Sequence, residues 1–153
     1  MKKKVVDPRY AKGGKYRRVI NEINRVGKCP FCPKNFTYHD KPILKDRKRW
    51  FLTYNFNPYP GSRYHFLLIR KRHAEKLRHL KPQDFVDVLW LLKWLERRFK
   101  LQGGGVAMRF GKTHYTGASV CHMHCHVIVP KLEYRTIKGR RQRVACVVNF
   151  PIG

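Results

Sequence analysis

The sequence predicts an α+β domain, an antiparallel β-sheet with flanking helices, and three observations carry that prediction. One window, 82–100, repeats apolar residues at helical spacing and stops at Gly103-Gly104-Gly105. Short apolar windows punctuated by Pro and Gly lie on both sides of it, and helices interrupting consecutive strands indicate an antiparallel sheet. Finally, His122-Met123-His124-Cys125-His126-Val127-Ile128 alternates histidine with apolar residues, the period of a β-strand. At 153 residues the chain suits one compact domain with a single core.

Residues 1–28 carry ten Lys or Arg, interrupted by Gly13-Gly14, and then Tyr16, Val19, Ile20 and Ile23 follow at helical spacing. This predicts a basic arm and a short amphipathic helix. Lys41 to Arg49 reads as a basic loop, Trp50 to Asn55 as a strand, Pro58 to Gly61 as a turn and Tyr64 to Ile69 as the next strand. Pro82 stands at a first helical position with Asp84 in the first turn. Phe85, Val86, Val88, Leu89, Leu91, Leu92 and Leu95 give that helix a broad apolar face, and Arg97, Arg98 and Lys100 suit its C-terminal end. Further strands are expected at 106–110, 119–129 and 144–149.

The charge is extreme: 35 Lys and Arg against 9 Asp and Glu give +26. Solubility needs far less, so a polyanion partner is expected, nucleic acid included, with binding weakened by salt. Basic segments at Lys2–Lys15, Lys41–Arg49 and Arg135–Arg143 interleave with Tyr10, Tyr16, Trp50 and Tyr134, aromatics able to stack on bases. Five cysteines, an odd number, do not resemble a disulfide framework, and no apolar run is long enough to span a membrane. A soluble protein of the reducing cytoplasm is expected.

On a strand, residues two apart are about 6.6–7 Å apart on one face, so His122, His124 and His126 make a row suited to an extended phosphate chain. Nucleotidyl transfer through histidine needs one ring nitrogen aimed at phosphorus and the other held by an acceptor that fixes the tautomer. The central His124 is placed for that. Separately, Cys29-Pro30-Phe31-Cys32 has the spacing that points two thiolates at one tetrahedral ion, which is half a zinc site, although the same spacing serves a redox pair.

The His-φ-His-φ-His-φ-φ run, with φ apolar, resembles the histidine-triad (HIT) family of nucleotidyl hydrolases and transferases. Asn55 to Gly61 followed by His65 to His73 resembles that family's nucleotide-binding strand and turn, and Gly117-Ala118-Ser119-Val120 its Gly-x-Ser-Val approach. The similarity runs from about Cys29 to Pro130. It implies residues 29–153 as a HIT-like catalytic domain behind the arm and helix of 1–28. It further implies His124 as the nucleophile of a covalent nucleotidyl-histidine intermediate and His126 as a contact to the α-phosphate and bridging oxygen. Gly117, Ser119 and His65 fall at the phosphates, and Asn55 at the ribose hydroxyls with Asn57 as its rival.

Zinc-bearing members of the family complete a Cys2His2 site with the positions that are His73 and His122 here, which would be closed and hence structural. His39 competes as third ligand, while His79 and His114 read as surface histidines. A two-fold homodimer is also implied. The chain departs from the hydrolase pattern at Ala118, where glutamine is usual, which leaves water or phosphate as acceptor. Ser62-Arg63-Tyr64 lengthens the step from Gly61 to His65, and Arg109 to Tyr115 matches poorly, with Arg109 or Lys112 reaching phosphate. No carboxylate lies near the triad in sequence, against a two-metal or carboxylate-driven hydrolase. The competing readings are aprataxin-like removal of adenylate from nucleic-acid 5′ ends and a non-catalytic nucleic-acid-binding protein. After Pro130 only Cys146 remains, too few ligands for the zinc finger of the aprataxin branch.

Overall fold

In the computed structural model, which describes residues 4–152, five antiparallel strands form the main sheet. They are β1 (Ile43–Asp46), β2 (Trp50–Tyr54), β3 (Ser62–Arg70), β4 (Gly105–Arg109) and β5 (His124–Pro130), ordered β1-β2-β3-β5-β4. Helices α1 (Gly14–Val26) and α2 (Pro82–Phe99) flank it, and α3 (Thr113–Thr116) is a single turn. Strands β6 (Leu132–Ile137) and β7 (Arg140–Ala145) pair only with each other.

Because strand side chains alternate, the sheet separates two apolar clusters. Trp50, Leu52, Phe66, Leu68, Met123, Cys125 and Val127 meet Val88, Leu91 and Leu95 of α2. Phe51, Leu67, Ile69 and Val120 on the opposite face meet Ile20 and Ile23 of α1 together with Val5, Val6 and Ala11. Full burial of an aliphatic side chain such as Leu91 or Ile20 contributes roughly 1.5–3 kcal/mol. The segment expected as a basic arm is built into this second cluster from Val5 onward, with Val6 bridged to Val120 and Asp7 fully buried. Lys2 and Lys3 lie outside the described residues.

Helix α2 begins at Pro82 as expected, and Asp84 anchors it beyond ordinary capping. Its carboxylate accepts from the Lys81 backbone N–H at 2.8 Å, from Trp50 Nε1 at 3.0 Å and from Arg70 Nε at 2.8 Å. One buried carboxylate thus ties the helix start to β2 and β3. The apolar face of α2 is wider than the sheet it covers: Phe85, Val86 and Leu89 are 51–60% exposed. Val88, Leu91 and Leu95 face inward, with Leu92 and Phe99 packed half-buried beside them.

Three expected elements differ. The strand expected at 119–129 begins at His124, because Val120 turns aside to bridge Val6. Within the loop expected at 41–49, Ile43–Asp46 pairs with β2 as an edge strand. The strand expected at 144–149 lies earlier, as β7, and returns from β6 through Lys138-Gly139, both at positive φ (50° and 75°). Such a pair forms a tight hairpin turn whose twist matches that of the strands. The extra residues Ser62-Arg63-Tyr64 lengthen β3, with an irregular register between Ser62 and Tyr64.

Candidate active site and metal cluster

A cavity of about 320 Å³ opens on the α1 face of the sheet, and His124 and His126 form part of its floor. Register dictates their neighbours: His124 pairs with Ile69 and Arg109, and His126 with Leu67 and Ala107. Arg109 therefore shares the face of His124, and His65, two residues before Leu67, shares the face of His126. Tyr16, Ile20, Ile23, Phe31, Phe56 and Tyr59 supply an apolar and aromatic wall, while Gly117, Ser119, Asn55 and Asn57 add polar groups.

Hydrogen bonds fix the state of each imidazole. His124 Nδ1 lies 2.6 Å from the His122 carbonyl, which can only accept, so Nδ1 carries the proton and Nε2 keeps a lone pair. The Tyr59 backbone N–H, which can only donate, lies 3.1 Å from His65 Nδ1. The His65 proton is therefore on Nε2, 2.8 Å from His126 Nδ1, and His126 in turn holds its proton on Nε2. That Nε2 is buried and has no hydrogen-bond partner. Burial pushes both His65 and His124 down to about 4, and His126 well below the ordinary histidine range. All three rings are neutral at pH 7, one presenting a lone pair and its neighbour a free N–H.

Arg109 is the second buried group short of a partner. It is 8% exposed, its Nη2 donates to the Pro151 carbonyl, its guanidinium stacks 4.2 Å over Phe150, and its Nε is unsatisfied. Among the described residues no carboxylate pairs with it. Phe150 also meets His126 edge-on at 5.0 Å, and Pro151 joins the lining, so the segment after β7 packs against the cavity. Ser119 Oγ lies 2.5 Å from Tyr16 Oη, and Tyr16 belongs to α1.

The expected site residues fall into two groups. His124, His126, Asn55, Gly117 and Ser119 line the cavity. His65 stands behind His126, and Asn55 Nδ2 lies 3.2 Å from its Nδ1, which carries the lone pair, and 3.0 Å from Nε2, which as N–H cannot accept from it. Asn55 Oδ1 accepts from the Asn57 backbone N–H at 3.0 Å. Phe150 and the Tyr59 N–H were not anticipated, and Tyr16 was expected on the helix and as a stacking aromatic rather than at Ser119. Their only sequence signal is a lone aromatic far from the motif or a turn following proline.

The second group is the cluster of Cys29, Cys32, His73 and His122, whose donor atoms all lie within 4.8 Å of one another and could hold a metal ion. Cys29 Sγ is 3.3 Å from His122 Nδ1, and Cys32 Sγ is 3.6 Å from His73 Nδ1. Each histidine turns its other nitrogen to an acceptor, His122 Nε2 to the Arg70 carbonyl at 2.5 Å and His73 Nε2 to Glu75 Oε1 at 2.9 Å. Both Nδ1 lone pairs therefore point at the sulfurs, with the outer partners that metal-binding histidines ordinarily have. Burial pushes His122 down to about 3 and the Cys29 thiol up to about 12, the latter a cost that a bound cation reverses. His39 is directed elsewhere, to Thr53 Oγ1 and the Tyr54 carbonyl.

The HIT-domain family model matches residues 38–132. The chain belongs to the HIT family, whose members are nucleotide hydrolases and transferases. Among solved structures it is similar to a histidine triad nucleotide-binding protein from Candida albicans, at 21% identity and TM-score 0.56 over 80% of this chain and 85% of that one. A histidine triad protein from Clostridium difficile gives 22% identity and TM-score 0.54, covering 69% and 93%. A HIT family hydrolase from Clostridium thermocellum gives 18% and 0.53, covering 68% and 90%. At these identities the likeness is one of fold. No curated protein matches the chain. Only the first residue of the β6–β7 hairpin falls within the matched HIT segment, and the segment packed against the cavity after β7 lies beyond it.

Proposed function

We propose that this HIT protein cleaves nucleoside phosphates or dinucleoside polyphosphates at the α-phosphorus through a nucleotidyl-histidine intermediate on His124. The observation that carries the reading is the pairing of tautomers, a lone pair on His124 Nε2 beside an unpartnered N–H on His126 Nε2. His124 Nε2 attacks phosphorus, and the bond to the leaving oxygen or nitrogen breaks with its electron pair. The leaving group then takes a proton from water, and neutral His126 keeps its N–H. In the second step water attacks the same phosphorus, its proton passing to solvent, and the P–N bond electrons return to His124 as nucleoside monophosphate departs. His126 Nε2–H and Arg109 would stabilise charge on the phosphate oxygens, Ser119 and Gly117 would hold them, and Asn55 would reach the ribose. The aromatic wall of the cavity suits a base.

Cys29, Cys32, His73 and His122 would hold zinc. Two thiolates and two imidazoles make a closed tetrahedral set, so the ion would tie the segment before β1 to the start of β5 and act structurally. A two-fold homodimer belongs to the same reading. Strand β4 is a sheet edge with Val106 56% exposed, and the outer face of α2 presents Phe85, Val86 and Leu89. A cytoplasmic setting fits five free cysteines.

The test is incubation with diadenosine polyphosphates, adenosine phosphoramidate and a 5′-adenylated oligonucleotide, with and without phosphate, trapping acid-labile nucleotidyl-protein. Label lost in His124→Ala is expected, and the preferred donor selects the branch. Turnover unchanged in His124→Ala would overturn the mechanism. The +26 charge favours one second reading, aprataxin-like 5′-adenylate removal, which the oligonucleotide arm addresses.

A further inference from the structure

The β6–β7 hairpin is unexplained by the catalytic reading. Neither strand joins the main sheet, nearly every residue is exposed, and an isolated two-stranded ribbon is marginal in water without a covering partner. From Lys131 to Arg143 it carries six cations and one carboxylate, Glu133, which pairs with Arg135. Among the described residues, Lys138, Arg140, Arg141 and Arg143 have no carboxylate partner. Four of the six are arginine, the cation suited to bidentate phosphate contacts.

Register arranges these charges around an aromatic. Tyr134 pairs with Arg143 and Thr136 with Arg141, so Tyr134, Arg141 and Arg143 share one face. The Arg141 guanidinium lies 4.6 Å over the Tyr134 ring, which is still 62% exposed. Arg141 and Arg143 are two residues apart on a strand, about 6.6–6.8 Å, a step that an extended phosphodiester backbone can follow. Arg140 and Ile137 face the other way, and Lys138 caps the tip.

We propose that the ribbon is a docking surface for single-stranded nucleic acid, with Arg141 and Arg143 on the phosphates, Lys138 reaching them from the tip, and a base stacked on Tyr134. An acidic protein segment would use the cations but not the exposed ring beside them. The surface works independently of the triad, so binding persists in His124→Ala. It also flanks the site: the hairpin leaves directly from β5, and the segment that follows it brings Phe150 against His126.

Full-length protein is titrated against a fluorescein-labelled oligothymidylate by anisotropy over a range of salt. The double variant Arg141→Gln, Arg143→Gln is expected to lower the log–log salt slope by about 1.4, since each phosphate contact on a single strand contributes about 0.7. Tyr134→Ala should weaken binding about tenfold. Lys138→Asn, a residue that tolerates positive φ, removes one charge without touching a strand and should lower the slope by about 0.7. A charge-matched control on exposed α1 residues, Arg17→Gln, Arg18→Gln, should change little. Equal losses in that control would overturn the proposal, as would displacement by polyglutamate as effective as by unlabelled oligonucleotide, or tighter binding of duplex than of single strand.

Discussion

His65 Nε2 and His126 Nδ1 stand 2.8 Å apart, and the proton between them belongs to His65 because the Tyr59 backbone N–H occupies the other ring nitrogen. A main-chain donor in a proline-bounded turn thereby decides, through two rings, that His126 presents N–H rather than a lone pair to the cavity. In the proposed mechanism His65 would act through His126, as a positioning residue.

His65→Ala should therefore lower kcat by about 10- to 100-fold, the usual loss when an orienting partner is removed, with KM little changed. Imidazole nitrogen NMR supplies the readout that a merely structural role would not move. His126 should shift from a single Nε2–H tautomer to a mixture, and an unaltered tautomer would refute the relay.

Arg109 stands opposite His124 across β4 and β5 with its Nε unsatisfied, the condition of a group awaiting an anion. Arg109→Gln should reduce kcat/KM by about 10²- to 10³-fold, as for loss of one donor to a developing oxyanion. Arg109→Lys keeps the charge and loses the planar fork, so an intermediate value is expected. Equal activity in all three forms would show that Arg109 does not touch the phosphate.

How far this site is legible in the sequence depends on whether partners are local. The alternation of His124 to Val127 placed His124 and His126 on one face and Cys125 and Val127 on the other because strand geometry is local and obligatory. Pro82 and Asp84 announced α2 for a similar reason. Three further carboxylate contacts or near contacts escape any window: Asp84 with Trp50 and Arg70, and Asp7 with Thr113, whose sequence separations are 34, 14 and 106. The β6–β7 ribbon was hidden because its turn depends on Lys138, a residue with no left-handed preference, and because charges mask its period. Tyr16 on Ser119 and Phe150 on His126 join positions 103 and 24 apart, which only the folded chain brings together.

The Cys29, Cys32, His73 and His122 cluster predicts one zinc per chain by plasma mass spectrometry. Chelation, or Cys32→Ser, should lower Tm by about 10 °C or more, given about 2–4 °C per kcal/mol for a domain of this size. His39→Ala should leave metal content unchanged, because His39 is turned to Thr53 and Tyr54. Full stability without bound metal would refute the structural role.

Asp7 predicts an acid-sensitive clamp on the same face of the sheet. Its carboxylate is fully buried and accepts from Arg9 Nε at 3.0 Å, Arg9 Nη2 at 2.9 Å and Thr113 Oγ1 at 2.8 Å, with Lys4 Nζ 2.9 Å away. The Arg9 guanidinium, above all, holds it well below the usual carboxylate range, outweighing burial. A folded pKa below the unfolded value of about 3.9 means that the stabilisation is complete above that value and is lost as pH falls through the folded pKa. Asp7→Asn should therefore cost about 2–4 kcal/mol at pH 7, and the gap between variant and wild type should close below about pH 4. Since acid also releases metal from cysteine and histidine, the measurement is the difference in Tm between the two proteins across pH, which cancels that shared loss. The Asp7 backbone N–H donates to the Ser119 carbonyl at 2.8 Å, so loosening this clamp also frees the loop that carries Ser119 into the cavity. A Tm gap that stays constant from pH 7 to 3 would show that Asp7 stabilises by shape rather than by charge.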